Sequence, residues 1–195
     1  MMKQYLAKIE KECVMAMPLV RPSGKIVVVK SAREADFAVS KLMDEPIVGF
    51  DTETRPNFVS HVQHTVSLMQ VATATECYLF RLQFIGEHQG LKALIESTDV
   101  LKVGLSVKDD FHSLQKWMPV QPQNFIELQN FVTSFGIEDK SLQKIYAIVF
   151  GKRISKTQQL SNWEQPILTP QQKVYAAIDA WACREIYLEL NNQQP

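Results

Sequence analysis

The sequence predicts an α/β fold, a mixed sheet flanked by helices. Two observations carry that expectation. Residues 66–82 read as two strands joined by a tight turn near Thr73–Glu76, and such a hairpin rules out a purely parallel sheet. Beyond it, helical and strand patterns alternate to the end of the chain, which is the signature of layered helices on a sheet.

The elements follow in order. Residues 3–12 suggest a short, charged, loosely attached helix, and residues 14–24, with two prolines and a glycine, an extended entry. Together, residues 1–24 form a lead-in to one domain over residues 25–195. Residues 25–29 (KIVVV) are a strand. Residues 31–44 carry apolar positions at helical spacing behind Ser31, with Glu34 completing a capping box. Residues 47–53 form a buried apolar strand, and a loop follows over residues 55–64. After the hairpin come a helix at residues 86–97, a strand at 100–106 and a helix at 107–117. Residues 124–136 give no clear pattern. Residues 140–150 are helical, 151–168 form a basic connector, and 169–192 a long final helix capped by Thr169 with Pro170 in its first position. That reading counts five strands.

Composition narrows the function. A chain of 195 residues with 46% hydrophobic and 22% charged side chains suits one globular domain with a sizeable core. Twenty-one basic side chains balance twenty-one acidic ones, which argues against sequence-blind coating of nucleic acid but not against gripping one strand end. Cys13, Cys77 and Cys183 are too scattered for a disulfide framework or a zinc site, so reduced thiols in a cytoplasmic protein are expected. The N-terminal segment is charged rather than signal-like, and no run approaches the roughly 20 apolar residues of a membrane span.

Chemistry concentrates in three acidic segments. Asp51 and Glu53, two apart on a strand, project to one face, and their carboxylates repel unless a cation lies between them; the plainer alternative is a pair of solvated acids. In the helix after the strand at 100–106, Val107, Phe111, Leu114 and Met118 make the apolar stripe. Asp110 lies at its edge and can face a cleft, while Asp109 points to solvent. Tyr175 and Asp179, four apart on the last helix, share a face and can converge on one site or simply bridge helices.

In this order, Phe50-Asp-Thr-Glu53, the run Lys102 to Asp110, Leu160-Ser-Asn-Trp163 and Tyr175-Ala-Ala-Ile-Asp179 resemble the motifs of the DEDD exonuclease superfamily, in its tyrosine subclass. The similarity is to the group that holds ribonuclease D and the exonuclease domain of the Werner syndrome helicase, and it covers residues 25–190. It implies a ribonuclease H-like fold with a five-stranded mixed sheet, and 3′→5′ hydrolysis of DNA or RNA ends to nucleoside monophosphates. Asp51, Glu53, Asp110 and Asp179 become the expected ligands of two divalent cations, Mg²⁺ or Mn²⁺. Such a pair activates water and stabilises the leaving 3′ oxygen. Tyr175 stands in for the histidine of the other subclass, which would fall at Val174; with a free pKa near 10 it is expected to orient the attacking water, removal of the water's proton being the alternative role. Glu53 is further expected to bind the terminal 3′ hydroxyl. His61, His64, His88 and His112 stand elsewhere and read as surface or loop residues.

Substrate contacts are less determined. Lys152, Arg153 and Lys156 suit the phosphates of a single strand or make a solvated basic loop. Trp163 can stack on a base or seal the core, and Phe58 is a weaker aromatic of the same kind. The competing reading is a catalytically silent nucleic-acid-binding module on the same fold; the full set of acids with Tyr175 speaks against it. A dinucleotide-binding enzyme is excluded because no G-x-G-x-x-G follows a strand.

Overall fold

The computed structural model describes residues 4–58 and 63–192. Its elements are α1 (Lys11–Ala16), β1 (Lys25–Val29), α2 (Ala32–Leu42), β2 (Ile47–Thr54), β3 (Val66–Ala72) and β4 (Glu76–Arg81). Then come α3 (Leu82–Ile85), α4 (Gln89–Glu96), β5 (Leu101–Gly104), α5 (Val107–Trp117), β6 (Phe125–Glu127), α6 (Leu128–Phe131), α7 (Leu142–Phe150) and α8 (Pro170–Asn191). A 3₁₀ turn, Val132–Phe135, follows α6.

One mixed sheet runs in the order β1-β4-β3-β2-β5-β6. β2, β3 and β4 are antiparallel neighbours, whereas β1, β5 and β6 join in parallel. The hairpin turns at Thr73, whose hydroxyl accepts from the backbone amides of Thr75 and Glu76. The five strands read from the sequence are all present. The expected count of five is nevertheless short, because β6 adds a sixth at the edge. Its three half-buried residues are too few to show a period and are followed at once by helix.

Alternation splits the sheet into two faces. Val48 and Phe50 of β2 pack with α2, α4 and α5 through Ala38, Leu42, Leu91, Leu94 and Leu114. The other face, with Leu68, Ala72, Cys77 and Leu79, meets Ala176, Ala177, Ala180 and Trp181 of α8. Both capping boxes form, Ser31 with Glu34 and Thr169 with Gln172, and Pro170 opens α8 as expected.

The lead-in differs from expectation. Residues 7–9 are not helical, since their backbone groups find partners elsewhere: the Ile9 amide donates to Asp139 at 2.8 Å, and the Ala7 carbonyl accepts from the Glu138 amide at 2.8 Å. The helix starts only at Lys11, late in the stretch expected to be helical, and runs on to Ala16, into the stretch expected to be extended. Nor is the segment loose, because Ile9 and Val14 are buried against Ala147 of α7. Leu19 bridges to Arg153 as a strand would. Among the described residues, no helix is long and apolar enough to cross a membrane.

Candidate active site

Gly49, Asp51 and Glu53 alternate onto the α8 face of β2. Gly49 makes the approach of α8 possible: a Cβ there would lie 1.9 Å from the Ala180 carbonyl oxygen. Arg184 ties the same contact by donating from Nε to the Ile47 carbonyl at 3.1 Å, and Trp181 Nε1 donates to the Thr73 carbonyl at 2.9 Å. With α8 pressed on β2, Asp179 arrives beside the two strand acids. Asp51, Glu53 and Asp179 each offer a carboxylate oxygen within 4.8 Å of the others.

Asp110 comes from α5, whose start is unusual. Ser106 precedes the helix in the left-handed region, at φ 61°, rare for a residue with a Cβ. The Glu127 carboxylate accepts from the Ser106 and Val107 amides at 2.9 and 2.8 Å, satisfying the exposed end of the helix from the edge of the sheet. Asp110 is buried, and its Oδ1 accepts from the Thr52 hydroxyl at 2.5 Å. Its Oδ2 is buried with no hydrogen-bond partner among the described residues. Asp109 is exposed, as the helix-face reading expects. Asp110 therefore belongs to the same acidic cluster but stands outside the tight group of three.

Electrostatics follow from this crowding. Asp51 and Glu53 are half-buried, with solvent reaching them through a cleft of about 290 Å³. Burial, then Asp110, Glu53 and Asp179, holds the Asp51 carboxyl well above the usual carboxylate range. Burial with Asp179 and Asp110 pushes Glu53 up to about 9. Burial raises Asp110 to about 7 against the opposing Thr52 hydrogen bond, and Asp179 to about 7 against Tyr175 and Lys156. Burial and the acids Asp179 and Glu53 push the Tyr175 hydroxyl far upward, so it stays protonated and hydrogen-bonds Asp179. An oxygen-only donor set, mutual repulsion and an unpartnered buried carboxylate oxygen are what a site for hard divalent cations requires.

The remaining expected residues separate. Lys156 lines the cleft and draws the Asp179 carboxyl downward. Lys152 is exposed on the same connector, outside the residues that line it. Arg153 is a structural anchor rather than a free cation: Nε donates to the Met17 carbonyl at 3.0 Å, and its amide and carbonyl pair with Pro18 and Val20. Trp163 is fully buried beside Tyr175, ring centroids 6.1 Å apart, which removes the base-stacking option. Phe58 is 78% exposed. Of the histidines, His112 is exposed and His64 contacts Glu164 at 2.7 Å. His88 departs from expectation: it is buried and caps α4, accepting from the Leu91 amide. His61 lies outside the described residues.

Sequence reasoning missed Gly49, Thr52 and Glu127. Gly49 had a signal, a glycine inside a strand and two residues before an acid, the usual mark of close backbone approach. Gln143 and Gln159 also line the cleft, and nothing in their spacing points there.

A family model described as 3'-5' exonuclease matches residues 26–194. The chain is 31% identical over 208 residues to the mouse (Mus musculus) bifunctional 3'-5' exonuclease/ATP-dependent helicase WRN, which covers 98% of this chain but only 15% of that protein's length. The solved EXO domain of Aedes aegypti Nibbler superposes with a TM-score of 0.79 at 26% identity, over 91% of this chain and 92% of that one. Escherichia coli RNase D, described as an exoribonuclease, gives a TM-score of 0.77 at 18% identity over 87% of this chain and 44% of its own, a likeness of fold.

Proposed function

This chain belongs to the 3'-5' exonuclease family, and from that premise we propose that it removes nucleoside monophosphates from the 3′ end of DNA or RNA as a member of the tyrosine subclass. Asp51, Glu53, Asp110 and Asp179 would hold two divalent cations, Mg²⁺ or Mn²⁺. Bound there, such ions lower the pKa of water and offset charge on the leaving oxygen. The reading rests on one observation above all: Asp51, Glu53 and Asp179 converge within 4.8 Å from two elements, in a cleft that Tyr175 also lines.

The chain's own groups then have distinct tasks. Water attacks the terminal phosphorus, the bond to the 3′ oxygen breaks, and a proton ends on that oxygen. Tyr175, bonded to Asp179, orients the water. Glu53 accepts from the terminal 3′ hydroxyl. Lys156, on the cleft wall, attracts the phosphate, and Lys152 meets the strand farther out. The strand end that enters the cleft is taken to be single-stranded. Residues 25–195 form the exonuclease unit and residues 1–24 its lead-in. Three free cysteines suit a reducing compartment, and the cytoplasm is the proposed location.

End-labelled DNA and RNA of both polarities, offered with Mg²⁺ or Mn²⁺, test this reading alongside Asp51→Ala. Stepwise shortening from 3′ ends, lost in the variant, is expected. Equal digestion by Asp51→Ala would refute the metal assignment, and no mononucleotide with either ion would refute the exonuclease reading.

A further inference from the structure

Gln70 sits in the middle of β3 and is fully buried. In the antiparallel register it lies directly opposite Asp51, so the two side chains stand on one face as a cross-strand pair. Its nearest other neighbours on that face are apolar, Leu68 and Ala72 along the strand and Leu79 across it on β4, with Glu53 and Arg81 one diagonal step away. Both polar atoms of the Gln70 amide are buried with no hydrogen-bond partner among the described residues. An amide so placed is costly, and an apolar side chain of the same size would pack without penalty. The Asp51 carboxyl is the polar group directly opposite it in the sheet.

We propose that Gln70 is a positioning residue for the metal site, its Nε2 donating to the Asp51 carboxylate once a divalent cation is bound. A carboxylate that coordinates a cation has lost its proton, accepts only, and leaves an oxygen lobe in a buried setting that needs a donor. Gln70 supplies that donor without adding charge. The bond fixes the carboxylate rotamer from behind, so that Asp51 presents the same oxygen to the cation in every turnover. The inference rests on the reading of Asp51 as a metal ligand.

Mn²⁺ titration by calorimetry, without substrate, tests it on wild type, Gln70→Met, Gln70→Leu and Asp51→Asn. Both Gln70 variants should bind Mn²⁺ about 10- to 100-fold more weakly. In chelator, both should melt at or above the wild-type temperature, since an unpartnered amide has been removed. Their 3′-end hydrolysis should recover as Mn²⁺ is raised. A merely structural role would give the opposite pattern, lower melting with unchanged Mn²⁺ affinity, and would overturn the proposal. Unchanged affinity in whichever variant folds would do the same. If wild type itself binds no Mn²⁺, the metal reading of Asp51 fails instead, and the Asp51→Asn titration marks that case.

Discussion

Gly49→Ala offers a severe test of how the acids are brought together. The added Cβ would lie 1.9 Å from the Ala180 carbonyl oxygen, where ordinary contact begins at 3.4 Å, so β2 and α8 must part by about 1.5 Å. Backbone blocks on both sides, so no side-chain rotation relieves the clash. Asp179 is the residue before Ala180 and moves with it, away from Asp51 and Glu53. Overpacking of this kind costs about 1–3 kcal/mol. For a domain of this size that lowers the melting temperature by roughly 2–12 °C. Displacing a reacting group by about 1 Å costs on the order of 10²-fold in rate. The variant should therefore fold, melt several degrees lower, and cleave labelled 3′ ends at least about 100-fold more slowly, the loss falling on kcat. A Gly49→Ala protein with wild-type melting and a rate within threefold of wild type would show that α8 does not rest on β2 as argued.

Three other outcomes follow from the same geometry. Glu53 is raised to about 9 and Asp110 and Asp179 to about 7, all above their unfolded values. Their protonated forms thus support the fold at low pH, and that support is lost progressively as pH rises from the unfolded values of about 4 up through 7 and 9. In chelator, the melting temperature should fall between pH 5 and 9, and saturating Mn²⁺ should remove most of the fall; a flat profile in chelator would contradict the acid cluster. Lys156→Ala should raise KM about 3- to 10-fold and flatten the salt dependence of KM, whereas Arg153→Ala should lower melting with KM unchanged. Steady-state kinetics at two ionic strengths and a melt separate the two. Tyr175→Phe should bind Mn²⁺ like wild type yet lose about 10²-fold in kcat, and equal loss of Mn²⁺ affinity would make Tyr175 part of the metal site rather than an orienting group.

Much of the site was legible because its rules are local. Asp51 and Glu53 share a face by strand alternation, Asp110 turns inward and Asp109 outward by helical rotation, and Tyr175 meets Asp179 across one helical turn. What the residues by themselves leave open are readings that need a partner distant in sequence. Arg153 reads as a phosphate contact or part of a solvated loop and is instead held by Met17 and Pro18, while Trp163 takes the core position that is the safer of its two readings, buried beside Tyr175. His88 reads as a surface or loop residue; it stands in the loop before α4, but buried and capping that helix.

The sequence alone determined the kind of chemistry: which acids, on which faces of which elements, with a tyrosine one turn from the last. Those are consequences of backbone periodicity, which acts over a few residues. The tertiary structure decided whether the acids meet. That depends on Gly49 admitting α8, on Glu127 from the unforeseen strand β6 holding the start of α5, and on Gln70 lying opposite Asp51. Each is a contact between segments that no periodicity connects, so only packing could set it.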